Sequence, residues 1–371
     1  MAKWVNLDEM PEGVVKAYTR LFLTAPAAHW IHNAKTQMRV LQVSGGLYFP
    51  VTINQTEWDS TFTCSPYTAY VLYAQDEIRR NLKNPLLQVG LLGLLKGVSW
   101  ILKRGKINQN VHVNNFLLST NPYPAWSGEE LAAITAFLLR EFPQHALIFR
   151  SLNEGQHADL LHAFQENGYH LVGSRQVYLY EMMREIWLKY NNNKHDLRLM
   201  RKQNLRYLSH EAMGAYLEEA LVLYQKLYLE KYSRHNPQFS LAFFQACHRD
   251  ETMIFQGFAD AENRLRAFSG LFVIENTITS PLVGYDTDAP QKEGLYIHAI
   301  QSVFDYLFKT RKVLNLSSGA AHFKRLRGGK PAIEYSAVYM AHLPWFRRLV
   351  YGLLLKISNQ IGIPLMKKYE L

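Results

Sequence analysis

Hydrophobic and polar positions alternate along the chain in runs that predict an α/β fold. In the first half, residues 39–43 and 47–53 flank Ser44-Gly45-Gly46 and predict a β-hairpin. The aromatic and β-branched run 67–73 predicts another strand. In the second half the pattern predicts three strands at 252–259, 265–275 and 281–285. A helix at 294–310 and a further strand at 312–316 are predicted to follow. Strands followed by strand–helix–strand predict a mixed sheet with helices on both faces.

The same order of elements in both halves predicts an internal duplication of the fold. We expect an N-terminal domain at 1–180, a C-terminal catalytic domain at 181–343 and a basic amphipathic helix at 344–371. The polar, Asn-rich segment 181–208 is predicted to link the halves. With 48% hydrophobic residues, the chain can build two cores.

Several classes of chemistry lack their usual motifs. The sequence has no phosphate-binding loop of the Walker type, no dinucleotide-binding glycine motif, no Gly-x-Ser-x-Gly and no His-Glu-x-x-His. Cys64 and Cys247 are far apart and are expected to be buried thiols, so neither a disulfide framework nor a metal site is predicted. The N-terminus has no apolar stretch after Lys3, and no signal peptide is expected.

One loop suggests anion binding. The predicted strand 281–285 is followed by a loop that begins at Asp286 and by a helix that begins near Gly294. Free N–H groups at a helix N-terminus attract anions. The spacing of Gln291 and Gly294 resembles the loop with which the GNAT superfamily of N-acyltransferases holds the pyrophosphate of coenzyme A. Tyr296 replaces that loop's final small residue, which leaves room for a different donor, such as acyl carrier protein or a long acyl-CoA.

A second segment, 315–329, predicts a strand end, a glycine turn and a short basic helix. Gly319, Phe323-Lys324 and Gly328 resemble the closing segment of FemAB-like acyltransferases, which are paired GNAT domains. The phrases GYDTD, IEYSAVY, FRSLN and SRQVYLYE extend this resemblance over about residues 110–371. The resemblance implies two GNAT-like acyltransferase domains in tandem.

Enzymes of this kind transfer an acyl group from an acyl-CoA or acyl carrier protein thioester directly to a primary amine. The reaction needs a proton acceptor and a donor to the carbonyl oxygen. Asp286 is the first candidate base, followed by Glu334, which could instead pair with Arg325 or Arg327, and by His298. Tyr285 and Asn315 are the candidate carbonyl donors. The candidate donor-binding residues are Gln291, Gly294, Gly319, Lys324, Arg325 and Arg327.

Charge and hydropathy predict a membrane partner. The net charge is +10, and no Asp or Glu occurs between Arg79 and Gly128. From Trp345 onward an apolar stripe, with Arg347, Arg348 and Lys356 beside it, predicts an amphipathic helix. We therefore expect a cytoplasmic protein, peripheral on the inner face of an anionic membrane, whose acceptor is a hydrophobic or lipid amine, as in bacterial ceramide synthesis.

Two alternatives follow from the same sequence. A FemAB-like transferase would use aminoacyl-tRNA to modify peptidoglycan precursors, and the basic surface would then bind the tRNA phosphates. Outside that alternative no nucleic-acid partner is expected. A non-catalytic module that binds a membrane surface is the second alternative, favoured by the Tyr296 substitution.

Overall fold

A computed structural model describes residues 2–369, which divide into two compact units. Of these residues, unit 1 contains 2–176, 235–238 and 332–369, and unit 2 contains 177–234 and 239–331. Residues 332–343, which the sequence analysis assigns to the second domain, thus lie in unit 1. Residue 1 and residues 370–371, at the ends of the predicted domains, lie outside the described residues.

The strands are numbered along the chain. They are β1 (Lys3–Val5), β2 (Gln37–Val43), β3 (Leu47–Asn54), β4 (Asn110–Val113), β5 (Ala146–Asn153), β6 (His170–Tyr180), β7 (Arg206–Leu208), β8 (Ile254–Ala259), β9 (Leu265–Ile274), β10 (Thr277–Tyr285), β11 (Val313–Asn315) and β12 (Lys330–Tyr339).

The α-helices are α1 (Val14–Thr24), α2 (Ala27–Trp30), α3 (Ala74–Asn81), α4 (Pro85–Arg104), α5 (Leu131–Glu141), α6 (Glu154–Glu166), α7 (Arg184–Trp187), α8 (Asn191–Gln203), α9 (His210–Met213), α10 (Leu217–Tyr224), α11 (Leu241–Arg249), α12 (Leu295–Thr310), α13 (Ala321–Arg325), α14 (Trp345–Ile357) and α15 (Ile363–Tyr369). Wider π-helical turns extend α3, α10 and α14 at Thr68–Tyr73, Gln225–Tyr232 and Ser358–Gly362.

The two units share one strand pattern. In unit 1 the order is β1-β2-β3-β4-β5-β12, with β4 and β5 parallel and the other neighbours antiparallel. In unit 2 the order is β7-β8-β9-β10-β11-β6, with β10 and β11 parallel and the other neighbours antiparallel. The predicted duplication and the mixed α/β sheet are therefore confirmed. The last strand of each series, β12 and β6, is distant along the chain from its neighbour.

Helix α12 fixes one end of the loop that connects β10 to α12 in unit 2. Its apolar residues recur at helical spacing, so that Ala299, Val303 and Leu307 are buried on one side, against core residues that include Ile278 of β10. The helix therefore packs firmly on the unit 2 core, and the loop between β10 and α12 is fixed at both ends.

Two local predictions are wrong. Residues 67–73 are helical, because Tyr67 and Val71, one turn apart, are both buried on the side of the helix that faces the core. The polar segment 181–208 is not a simple linker, since it contains α7, α8 and β7. Asp196 on α8 forms a buried ion pair with Arg327, which fixes this otherwise polar helix to unit 2. The hairpin of β2 and β3 is confirmed.

Candidate active site

The parallel strands β10 and β11 of unit 2 separate early. They pair only through Thr277–Val313, Ile278–Leu314 and Thr279–Asn315, whereas β10 continues to Tyr285. The register of β10 against β9 also shifts between Thr279 and Leu282, as at a β-bulge. The carboxyl ends of the two strands therefore diverge, and the edge of β10 beyond Thr279 does not pair with β11.

A serine missed by the sequence analysis lies at this divergence. Within residues 2–369, the Ser280 hydroxyl is buried without a hydrogen-bond partner. A buried hydroxyl of this kind carries an energetic cost unless a ligand or water satisfies it. The shift in register beside Ser280 depends on how β10 pairs with β9, and no local sequence pattern predicts it.

Asp286 follows directly after β10. Its N–H donates to the Arg266 carbonyl over 2.9 Å, and its Oδ2 lies 3.4 Å from Arg266 Nη2. Arg266 also contacts Glu293 at 3.1 Å and Asp260 at 3.3 Å. The Asp286 Oδ1 accepts a hydrogen bond from the N–H of Asp288, 3.2 Å away. The carboxylate is thus held in a fixed position at the end of β10, partly exposed to solvent.

The loop before α12 turns at Gly294. Gly294 has φ +62°, and a Cβ atom there would lie 2.5 Å from Leu199 Cδ2 on α8. Gln291 begins a short 3-10 turn whose carbonyl accepts the Gly294 N–H. Glu293 places a carboxylate next to the helix N-terminus, and its charge is balanced by Arg266. An anionic donor group at this loop would therefore meet mixed charges as well as the positive end of the helix.

His298 supports this loop from inside unit 2. Its Nδ1 lies 3.1 Å from the Gly294 carbonyl, which matches an Nδ1–H donor. The side chain is buried, and burial lowers the pKa of the imidazole. His298 is therefore suited to positioning the loop as a neutral side chain.

Three aromatic rings cross the gap between the diverging strands. Tyr296, at the start of α12, lies 5.7 Å from the Tyr285 ring and 4.8 Å from the Phe323 ring, measured between centroids. Tyr285 ends β10 and Phe323 lies on α13, just after β11. Burial raises the pKa of Tyr296 well above its usual value. Lys231 Nζ donates to the Tyr285 hydroxyl over 2.9 Å.

The basic residues after β11 are mostly used inside unit 2. Lys324 is buried, and its ammonium donates to the carbonyls of Leu316, Ser317 and Ser318 at 2.7, 3.2 and 2.8 Å. Arg327 is buried, pairs with Asp196 and lies 3.5 Å above the Phe323 ring. These two cations hold the turn that follows β11, and Arg325 is an exposed residue beside them.

Asn315 and Gly319, two further candidate site residues from the sequence analysis, lie on the turn that follows β11. The side-chain oxygen of buried Asn315 accepts the Ser317 N–H over 2.9 Å. Gly319 is exposed with φ +77°, a conformation that glycine adopts most readily. Both residues therefore shape the turn at the end of β11, on the far side of the gap from Asp286.

Glu334 lies in unit 1. Its carboxylate pairs with Arg175, with Oε1 at 2.8 Å from Nε and Oε2 at 3.1 Å from Nη2. The sequence analysis named Arg325 or Arg327 as the possible partner of Glu334, and that prediction is wrong. The Glu334 carboxylate is therefore occupied by an ion pair within unit 1.

Unit 1 contains a polar cluster that the sequence analysis missed. Burial lowers the pKa of Arg150 to about 10, and its Nη1 donates to the Thr63 carbonyl over 2.8 Å. Burial raises the pKa of Tyr70 to about 12 and also raises the pKa of Glu77. Raised carboxyl pKa values are typical of functional sites and of structural clusters alike. These residues come from distant segments, so no local motif links them.

The two cysteine side chains lie in the interior of the protein. Cys64 and Cys247 are buried, and burial raises the pKa of each to about 12. Within the described residues, no three His, Cys, Asp or Glu side chains form a cluster suited to a metal ion.

Comparison with known proteins supports the fold. No family model matches the chain, and no curated protein matches it. Among solved structures, FemX is 8% identical, with 95% of this chain and 99% of FemX covered and a TM-score of 0.52. A tandem GNAT protein from the clavulanic acid biosynthesis pathway is 11% identical over 89% of this chain and 90% of its own, with a TM-score of 0.37. The L-PGS of Bacillus licheniformis is 14% identical over 61% and 79%, with a TM-score of 0.38.

The FemX match extends over nearly the whole of both chains, and its TM-score is above 0.5. With the repeated strand pattern of the two units, it confirms the predicted fold. The chain has the two-unit fold of FemX, and unit 2 carries the diverging strands and the loop described above.

Proposed function

We propose that the protein is an N-acyltransferase that moves an acyl group from a thioester donor, acyl-CoA or acyl carrier protein, to a primary amine. The observation that carries this proposal is the early divergence of β10 and β11, which pair through only three residues on each strand. The edge of β10 that β11 leaves unpaired can hold the pantetheine and acyl chain of a donor in extended form, through backbone hydrogen bonds.

The reaction follows from the groups beside this gap. The neutral amine attacks the thioester carbonyl, the new C–N bond forms, and the C–S bond breaks with loss of a thiolate. Asp286 at the end of β10 accepts the proton that the amine loses, and this proton then passes through solvent to the departing thiolate, which leaves as the thiol. The hydroxyl of Tyr285, the last residue of β10, supplies a hydrogen-bond donor for the negative charge on the carbonyl oxygen.

The donor's phosphates are assigned to the loop of Gln291 and Gly294, together with the exposed Arg325. Lys324 and Arg327 have no direct part in donor binding, because their charges are held by carbonyl groups and by Asp196. Tyr296 narrows the mouth of the gap, and it therefore limits which acyl chains or carriers enter. The acceptor is a hydrophobic or lipid amine, and the enzyme acts in the cytoplasm at the inner face of a membrane.

A second candidate function has one observation in its favour. Helix α8 carries exposed basic side chains at helical spacing, Lys194, Arg198, Arg201 and Lys202. Such a stripe attracts phosphates, as the aminoacyl-tRNA-dependent, FemAB-like alternative requires. Helix α8 contacts the donor loop through Leu199 and Gly294, so a phosphate-rich donor could use both.

The test is a comparison of donors with purified protein. Acyl-CoA, acyl carrier protein thioester and aminoacyl-tRNA are each supplied with a mixture of lipid and soluble amines, and new amides are identified by mass spectrometry. Amides from either thioester support the proposal. Transfer from aminoacyl-tRNA alone supports the second candidate, and no product with any donor indicates a non-catalytic module.

A further inference from the structure

Helix α4 of unit 1 exposes most of its apolar side chains. Only Val98 and Leu102 are buried along its 20 residues. Leu86 is 85% exposed and Trp100 is 62% exposed, with Val89 and Leu94 also exposed between them. These four positions recur every three to six residues, and Gly90, Gly93 and Gly97 fill the same face. An exposed apolar stripe of this length marks a surface that is covered by a partner.

Helix α14 has a similar exposed side. Trp345 is 67% exposed and Leu349 is 61% exposed, with Phe346 beside them. The opposite side, which carries Val350 and Tyr351, is buried in unit 1. The sequence analysis grouped Arg347 with Arg348 and Lys356 as cations beside the apolar stripe, whereas the structure buries Arg347. Arg347 is buried, its guanidinium donates to several carbonyls, and burial lowers its pKa.

The two helices meet within unit 1. Arg347 Nε donates to the carbonyl of Gly105, which directly follows α4, over 3.0 Å. Tyr351 donates to the Ile107 carbonyl over 3.1 Å, and a Cβ atom at Gly105 would lie 2.6 Å from Val350 Cγ1. The end of α4 therefore packs against the buried side of α14. We call the exposed sides of these two neighbouring helices, taken together, the apolar surface of unit 1.

Positive charge surrounds this surface. The chain has seven Lys and Arg residues and no Asp or Glu from Arg79 to Gly128, and no Asp or Glu between Tyr335 and Tyr369. Lys96, Arg104 and Arg348 are exposed on the two helices. The Arg104 guanidinium lies 4.9 Å above the Trp100 ring, a pairing of aromatic and cation that suits the boundary between headgroups and acyl chains.

We propose that the apolar surface of unit 1 docks on an anionic lipid bilayer, with α4 and α14 lying in the plane of the interface. Apolar side chains would enter the headgroup boundary while exposed cations meet anionic lipid. Both α4 and the segment from Trp345 to Tyr369 are long and apolar enough to cross a membrane by length and composition.

Contacts along both helices favour lying in the interface over crossing it. The Ser99 hydroxyl of α4 lies 2.8 Å from the Tyr67 hydroxyl. After α14, Ser358 donates to the Gly173 carbonyl over 2.7 Å, and Asn359 donates to the Leu171 carbonyl over 2.8 Å. A membrane-spanning helix would have to leave these partners.

The test uses the full chain and vesicles of phosphatidylcholine alone or mixed with phosphatidylglycerol in equal parts, in a flotation assay without any acyl donor. The result is therefore independent of the proposed activity. We expect strong binding to the anionic vesicles, weak binding to the neutral ones, and release by salt, because salt screens exposed charges beyond about 10 Å.

Matched variants locate the surface. The pair Lys96→Glu and Arg348→Glu should weaken binding at least about fivefold for each cation removed. The pair Lys194→Glu and Lys202→Glu, on exposed positions of unit 2, makes the same change in net charge and should have a much smaller effect. The pair Leu86→Ser and Trp100→Ala should weaken binding while the thermal unfolding of the protein stays unchanged.

Three results would overturn the proposal. The first is equal binding to both kinds of vesicle, or binding to neither. The second is an association that resists salt and alkaline carbonate, because it would show that a helix crosses the bilayer. The third is a stable dimer whose formation protects Trp100 from quenching in the absence of lipid, because the glycine-lined face of α4 would then pack against a second copy.

Discussion

Leu199 on α8 packs against Gly294 at the turn before α12, and a Cβ atom at Gly294 would lie 2.5 Å from Leu199 Cδ2. Gly294 also has φ +62°, where an L-residue costs roughly 1 kcal/mol or more. The turn therefore depends on glycine for two separate reasons, backbone conformation and close packing.

We predict that Gly294→Ala lowers the free energy of unfolding by about 2 kcal/mol, and that the loss is smaller by about 1 kcal/mol when Leu199 is already alanine. Urea unfolding of the two single variants and the double variant measures this coupling. Fully additive losses would show that Leu199 does not limit the turn.

The bulkier Gly294→Val should also abolish donor binding, because it distorts the loop that holds the phosphates.

Asp286 and Asp288 provide a matched pair in one loop. Asp286→Asn should fold normally and lose at least about tenfold in turnover, because the amine then lacks its proton acceptor. Asp288 is 76% exposed and pairs with Lys226, so Asp288→Asn should keep nearly full turnover. Steady-state rates at saturating donor measure both. Equal rates for the two variants would remove Asp286 from the mechanism.

The Glu334–Arg175 pair should control stability rather than turnover. The Glu334 side chain is 2% exposed, and its replacement by Gln leaves the Arg175 guanidinium without a compensating charge. We predict a loss of about 3 to 5 kcal/mol for Glu334→Gln, which denaturant unfolding would reveal. The turnover of the molecules that remain folded should be close to normal. A stable variant with little activity would return Glu334 to the list of catalytic bases.

His157 makes folding sensitive to acid. Burial lowers its pKa from 6.5 to about 4, and the N–H of Asn153 donates to its Nδ1 over 3.3 Å. Because the unfolded chain binds this proton more readily, the contribution to stability is complete above pH 6.5 and is lost as the pH falls towards 4. The loss is on the order of 3 kcal/mol.

The variant His157→Gln should keep an acceptor for Asn153 and show a shallower loss of unfolding free energy over that pH range. Unfolding measured in urea at a series of pH values gives the comparison. Parallel curves for the variant and the natural protein would show that His157 does not titrate on unfolding.

Much of unit 2 could be predicted from local patterns. The strand before Asp286, the glycine turn and the apolar spacing of α12 are each encoded within about one element, and the structure places them as expected. Local patterns do not predict the structure where contacts between residues distant in the sequence determine it. Asp196 and Arg327 are 131 positions apart, yet their ion pair fixes α8, which the sequence alone indicates as a polar linker.

The candidate site shows the same limit. Lys324 and Arg327 lie in a basic run that suggests phosphate binding, whereas both side chains are bound by groups of unit 2. Ser280 belongs to a strand without any motif, and the strand pairing reveals it. Arg175 lies in the phrase SRQVYLYE, but only its ion pair with Glu334 shows its role. Sequence patterns thus identified the loop, and the three-dimensional structure identified which basic side chains are bound inside unit 2.

Release of the thiol from acyl-CoA tests the central claim most directly. A thiol reagent added to enzyme, acyl-CoA and a mixture of primary amines reports each transfer, and both cysteines of the protein are buried, so their background is small. We predict thiol release that requires the amine, is strongly reduced by Asp286→Asn, and changes its preference for acyl length in Tyr296→Ala, which opens the gap between β10 and β11. Thiol release that is absent with every thioester donor, or that does not depend on the amine, would contradict the account.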